Sequence, residues 1–185
     1  MAVRLGQPVL LGGQDRARIL IHSTMSEKLN IERSTADAFL VVYNAHTGTQ
    51  FTIIEHSDSP DFRCRDSKTG ELLDLEITLL EDVHGDAQYR LGRGSGQGAR
   101  CFNQDTLSQF KERITDKCNK DYGTHAALVL GQVAPLWTIS DWKMYHDDFQ
   151  AVIPSGCKNT FNKGIWILTW KDGFDLKERD IVQLL

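Results

Sequence analysis

Asp61 and Glu76 are the residues whose type and spacing point most directly to chemistry. Asp61 opens one extended segment, Pro60-Asp61-Phe62, and Glu76 lies inside the next, Leu75-Glu76-Ile77-Thr78. The turn Ser67-Lys68-Thr69-Gly70 separates them. If Asp66 and Glu71 close a four-residue hairpin loop, Asp61 falls opposite Glu76 on one sheet face. Two carboxylates that close together are costly to keep ionised unless a cation neutralises them. Mg²⁺ or Mn²⁺, held by carboxylates against a phosphate, would be such a cation. An exposed sheet face with ordinary acidic residues would leave the same pattern.

The surrounding segments must position this pair. Ser34-Thr35-Ala36-Asp37 reads as a capping box, which predicts a helix from Ser34 to about Gly48 with Ala36, Phe39, Leu40 and Tyr43 as its apolar stripe. Glu32 and Asp37 then lie near the helix start, where free backbone N–H groups favour acids. Arg18 to His22 is expected to be a short edge strand or part of an N-terminal arm spanning 1–33. Thr49 to Glu55 alternates as a strand. Asp61 to Asp66 is the second strand, with Phe62 and Cys64 inward. Leu72 to Leu80 is the third. Leu73, Leu75, Ile77 and Leu79 form one face, and Leu72, Asp74, Glu76 and Thr78 form the other.

A long helix starts at Asp105 or Thr106, with Leu107, Phe110, Ile114 and Cys118 as its buried stripe and Lys117 at the border. Ala126 to Leu130 is apolar enough for a strand covered on both faces. Thr138 to Asp141 caps a short helix carrying Trp142 and Phe149, and Gly164 to Trp170 is the last strand. Hairpins first and apolar strands after helices later predict an α/β domain, one mixed sheet flanked by helices, over residues 1–185.

Charge is unevenly distributed. The net charge of −4 advertises no global basic surface. Residues 90–120, however, hold seven basic and three acidic side chains, directly after the carboxylate hairpin. Within them, Gly92 to Arg100 carries four glycines and fits neither phosphate-loop nor dinucleotide glycine patterns. It reads as a floppy connection or as a clamp with Arg93 and Arg100 on phosphate. Lys111 and Lys120 add positive charge on or after the long helix.

Cys64, Cys101, Cys118 and Cys157 show no zinc-binding spacing, and reduced thiols are expected. No stretch suits a membrane span or a cleaved leader, so a cytoplasmic location is expected. Homodimerisation is left open.

Pro60-Asp61 followed by Glu76-Ile77-Thr78, within a helix, three strands, a helix and a strand, resembles the PD-(D/E)XK nuclease superfamily, the restriction-endonuclease-like fold. The resemblance runs from about residue 34 to 170 and implies an α-β-β-β-α-β core. It implies metal-dependent hydrolysis of phosphodiesters in nucleic acid, DNA before RNA. Asp61, Glu76 and the Ile77 backbone carbonyl would be ligands to Mg²⁺ or Mn²⁺, with Glu55 as an additional carboxylate. The lysine of the family motif is Thr78 here, and a hydroxyl supplies no positive charge. A lysine from the following helix could fill that vacancy, with Lys117 placed first and Lys120 in reserve. The missing lysine equally suits a non-catalytic member that binds nucleic acid or another protein. A structural or regulatory protein with incidental acidic spacing is the third reading.

Overall fold

The computed structural model describes residues 13–80, 104–132, 137–172 and 178–185. Its elements are α1 (Gly13–Thr47), β1 (Phe51–His56), β2 (Phe62–Asp66), β3 (Leu72–Leu80) and α2 (Gln104–Cys118). They continue with β4 (Ala126–Gln132), α3 (Ile139–Met144), α4 (His146–Val152), α5 (Cys157–Thr160), β5 (Ile165–Trp170) and β6 (Arg179–Gln183).

The strands form one mixed six-stranded sheet in the order β1-β2-β3-β4-β5-β6. Pairing is antiparallel through β1, β2 and β3, parallel through β3, β4 and β5, and antiparallel again at β6. The parallel pairs need long crossovers, and helices supply them. β6 was not anticipated from the sequence. It is short, opens with Arg179-Asp180, and shows little apolar alternation.

Side-chain alternation divides the core into two layers. Leu73, Leu75 and Ile77 of β3 join Ala127 and Val129 of β4 against α1 residues Ala36, Phe39 and Leu40. On the other face Ala126, Leu128 and Leu130 pack with Phe110 and Ile114 of α2, Phe149 of α4 and Phe161. Each fully buried Leu, Ile or Phe stabilises the fold by roughly 1.5–3 kcal/mol. Glu76 is paired with Leu128 in the parallel register, so Asp74, Glu76 and Thr78 turn toward the α2 layer. α1 lies very close to the opposite face: a Cβ added at Gly131 would stand 2.6 Å from Thr35 Cγ2.

The N-terminal expectation is corrected. Residues 18–22 are neither strand nor extended arm but lie within α1, which passes through Ser34 without a break. A capping serine must leave helical geometry. Ser34 instead turns its hydroxyl back to the Ile31 carbonyl at 2.9 Å. The pairs Lys28–Glu32 and Arg33–Asp37, at 3.3 and 3.2 Å, follow the four-residue helical spacing across the expected start. The helix does end where expected, with Gly48 at φ 73°. Asn44 then ties it to β1 by exchanging hydrogen bonds with the Phe51 backbone at 2.9 and 3.0 Å.

The reading of the thiols is corrected as well. Cys118, ending α2, and Cys157, starting α5, form a disulfide with Cα atoms 4.8 Å apart. Helix packing brings them together across a sequence separation of 39, which no local pattern reports. Cys64 is free and buried. Among the described residues, no helix is long and apolar enough to cross a membrane.

Closing a loop of that length by a disulfide stabilises a domain by about 3–4 kcal/mol through the unfolded state. Cys157→Ser should therefore lower the urea midpoint clearly, and mild reduction of the wild type should do the same. Coincident unfolding curves for reduced and oxidised protein would show that the bridge contributes nothing.

Candidate active site

The site begins with the hairpin turn. The Asp66 N–H donates to the Glu71 carbonyl, and the Gly70 N–H to the Asp66 carbonyl, both at 2.9 Å. Gly70 adopts φ 75°, a conformation that favours glycine. The Asp66 carboxylate accepts the Lys68 N–H at 2.7 Å, and that backbone bond holds its carboxyl below the usual range. This turn fixes the register Cys64 to Leu73 and Phe62 to Leu75. One step further along, Asp61 faces Glu76. With β3 held in register by β4, a slip of one residue in β2 would turn Asp61 away from Glu76.

Asp61 lies at the bend just before β2 and caps the open edge of β3. Its Oδ2 accepts the Ile77 N–H at 2.7 Å. The Asp74 N–H points to the His125 carbonyl beside β4, so the odd-numbered amides of β3 point the other way, toward β2. β2 starts at Phe62, opposite Leu75, and leaves Ile77 without a strand partner on that side. Asp61 fills the vacancy, and the Ile77 carbonyl shares its edge.

Glu76 is 3% exposed. Its Oε1 pairs with Lys117 Nζ, from the last turn of α2. Its Oε2 is buried with no hydrogen-bond partner. Arg113, one helical turn before Lys117, donates to the Leu79 carbonyl and docks the same helix face on β3. Tyr122, just past α2, has a buried hydroxyl that leans on Glu76 electrostatically but makes no well-formed hydrogen bond. The Thr78 hydroxyl is buried and unpartnered too. Three orphaned polar atoms thus lie on or near one carboxylate and its strand.

Electrostatics set Asp61 apart. Arg63 holds Asp74 at 2.9 Å, Lys117 holds Glu76, and Lys28 holds Glu32 at 3.3 Å. Among the described residues, Asp61 has no such cation. Burial pushes its carboxyl up to about 6. The Ile77 hydrogen bond pulls it back, the Glu76 and Glu32 charges push it further up, and Lys117 opposes them. The Tyr122 phenol is raised by burial and then by the Glu76 charge.

Asp61, Glu76, Ile77, Thr78 and Lys117 therefore gather at one place. Glu55 does not join them. A bulge between Ile53 and Glu55 sets it opposite Arg63, which it meets at 3.7 Å, and its side chain is 58% exposed. Lys111 is exposed and lies two residues, about 200° of helix, from Arg113 on α2. Lys120 is exposed beyond the end of α2. Arg93 and Arg100 lie outside the described residues. Glu32 and Tyr122 were missed as site residues. Glu32 carried a signal: an acid four residues before Ala36 continues the apolar stripe of α1. Tyr122 carried none, because it reads as an ordinary helix-ending residue.

The oxygen donors at this place are few. Among the described residues, no three His, Cys, Asp or Glu side chains converge on a metal position. Two carboxylates, one with an unpaired buried oxygen, remain. Mg²⁺ is commonly held by one or two carboxylates while keeping several waters, and Mn²⁺ accepts the same oxygen donors. No family model, curated protein or solved structure matches the chain.

Asp61 gives a pH signature. Its folded value lies above the ordinary 3.8, so its contribution to stability is fully present below pH ~4 and lost as pH rises through about 6. With metal chelated, Asp61→Asn should raise the melting temperature above about pH 7 and have little effect below pH ~4. A gain that is constant across this window would show that ionisation of Asp61 is not its source.

Proposed function

We propose that this chain is a divalent-cation-dependent phosphodiesterase acting on nucleic acid, with DNA as substrate, of the restriction-endonuclease-like kind. The observation that carries the reading is the meeting of Asp61, Glu76 and Lys117 from three separate elements. Lys117 pairs with Glu76, and both charges act on Asp61. The element order α1-β1-β2-β3-α2-β4 supports the fold reading.

Asp61, Glu76 and the Ile77 carbonyl would hold Mg²⁺ or Mn²⁺. Such an ion supplies Lewis acidity and a nucleophile at neutral pH. Lys117 places a fixed positive charge beside the carboxylates, where phosphate charge must be met during cleavage. It takes over the charge that Thr78 cannot provide. The Thr78 hydroxyl orients water or the neighbouring carboxylate. The Ile77 N–H holds Asp61 in place before any ligand arrives, so little ordering remains to be done on binding.

Cleavage of single-stranded, double-stranded and branched DNA, and of RNA, with Mg²⁺ or Mn²⁺ tests this reading. Lys117→Ala should lose about 3 kcal/mol of charge stabilisation, slowing turnover about 100-fold, and should also lower the melting temperature because buried Glu76 loses its cation, so rates are compared well below both melting temperatures. Lys120→Ala should stay near wild type and Thr78→Ala should fall between them. Equal rates for wild type and Lys117→Ala would remove the lysine from the mechanism. No cleavage of any substrate by the wild type would favour a non-catalytic protein that binds nucleic acid or another protein. Unchanged Mg²⁺ binding in the Asp61→Ala, Glu76→Ala double variant would remove the metal site.

A further inference from the structure

We infer that the Cys118–Cys157 disulfide is a redox latch on Lys117: closed, it pins the last turn of α2 where Lys117 meets Glu76, and opened by a dithiol, it frees that turn. Lys117 directly precedes Cys118, the last residue of α2. Two ties run from Cys118 to one short helix. Its sulfur is bonded to Cys157, the first residue of α5, and its carbonyl accepts the hydroxyl of Thr160, the last, at 2.9 Å. The preceding turn has anchors of its own, since Ile114 is fully buried and Arg113 donates to the Leu79 carbonyl. Past the helix, Tyr122 stacks on Phe161 with ring centroids 5.2 Å apart. Opening the bridge therefore loosens the turn between these holds and leaves the holds in place. The carbonyls of a last helical turn have no intrahelical partners, so such a turn frays readily. Glu76 is buried and takes its cation from this turn. A staple for stability alone could join any two elements, whereas this one is bonded next to the lysine of the site.

The opening step is thiol–disulfide exchange. Cys157 is fully buried and Cys118 only partly, so an incoming thiolate reaches the Cys118 sulfur. A sulfur–sulfur bond forms there as the Cys118–Cys157 bond breaks, and Cys157 leaves as a thiolate. The second thiol of the reagent then attacks its own bonded sulfur and releases Cys118. The dithiol is oxidised to a cyclic disulfide, the bridge takes up two electrons, and two protons end on the cysteines. The place of Lys117 in turnover rests on the phosphodiesterase reading above. The latch itself rests on the bridge and the ion pair.

The test is a short pulse of an acetylating reagent on the folded full chain, with each lysine followed by peptide mass spectrometry. Oxidised protein is compared with protein reduced by dithiothreitol and then freed of it without air, and with Cys118→Ser. Lys117 should acetylate at least about threefold faster after reduction, because local opening exposes it. Exposed Lys111, on an earlier turn, and Lys163, paired with Glu71, should keep their rates. Cys118→Ser should match the reduced protein whether or not dithiothreitol is added. A smaller change at Lys117 would overturn the latch, and the wild-type comparison decides this even if the variant fails to fold. An equal rise at Lys163 would also overturn it, by showing a general staple. If the oxidised protein cleaves nucleic acid, reduction should slow it toward the Lys117→Ala rate, and unchanged cleavage would overturn control of the reaction. Absence of cleavage from both forms would count against the phosphodiesterase reading, with the latch still decided by the labelling.

Discussion

The register of the β2–β3 hairpin is the constraint on which the rest of the site depends. Strand side chains alternate with a period of two, so once β4 holds β3, the hairpin pairing decides which β2 side chains share a face with Asp74 and Glu76. The turn makes that choice through the Asp66 backbone, the Asp66 carboxylate and Gly70. With the register set, Asp61 meets the free Ile77 N–H, Arg63 meets Asp74, and Glu76 faces the end of α2. The first two of these contacts would not survive a shift of one residue.

The face so produced has an unusual distribution of charge. Its acids are deeply placed, and an uncompensated ion in such surroundings is expensive. Asp74 and Glu76 each have a cation from a neighbouring element. Asp61 has instead a backbone N–H and two nearby negative charges, from Glu76 and Glu32. The fold thus leaves one carboxylate short of positive charge beside one carboxylate oxygen short of a partner.

Much of this was legible in the sequence, for identifiable reasons. The period of two in β3 and the glycine-closed turn carry strand, face and register locally, so Asp61 and Glu76 could be paired from spacing. The stripe on α2 showed that Lys117 borders buried surface. What the sequence hid depends on distance through space. The continuation of α1 through Ser34 rests on ion pairs that a capping signature masked. The bulge that carries Glu55 away from the site is an irregularity of pairing. The Cys118–Cys157 bridge and the stacking of Tyr122 on Phe161 arise only once α2 and α5 pack together.

The parallel pairing of β3 with β4 has a kinetic consequence. β1, β2 and β3 follow one another through short turns, and their contacts close small loops. Asp74, by contrast, pairs with Ala126, fifty-two positions later in the chain. Closing the longer loop costs more entropy before any contact offsets it, so such contacts form late during folding. Asp61 and Glu76 therefore come together on a nascent meander before α2 delivers Lys117. In that interval the carboxylates face one another without their lysine. Until the ammonium group arrives, repulsion between two ionised carboxylates opposes the alignment that the turn favours.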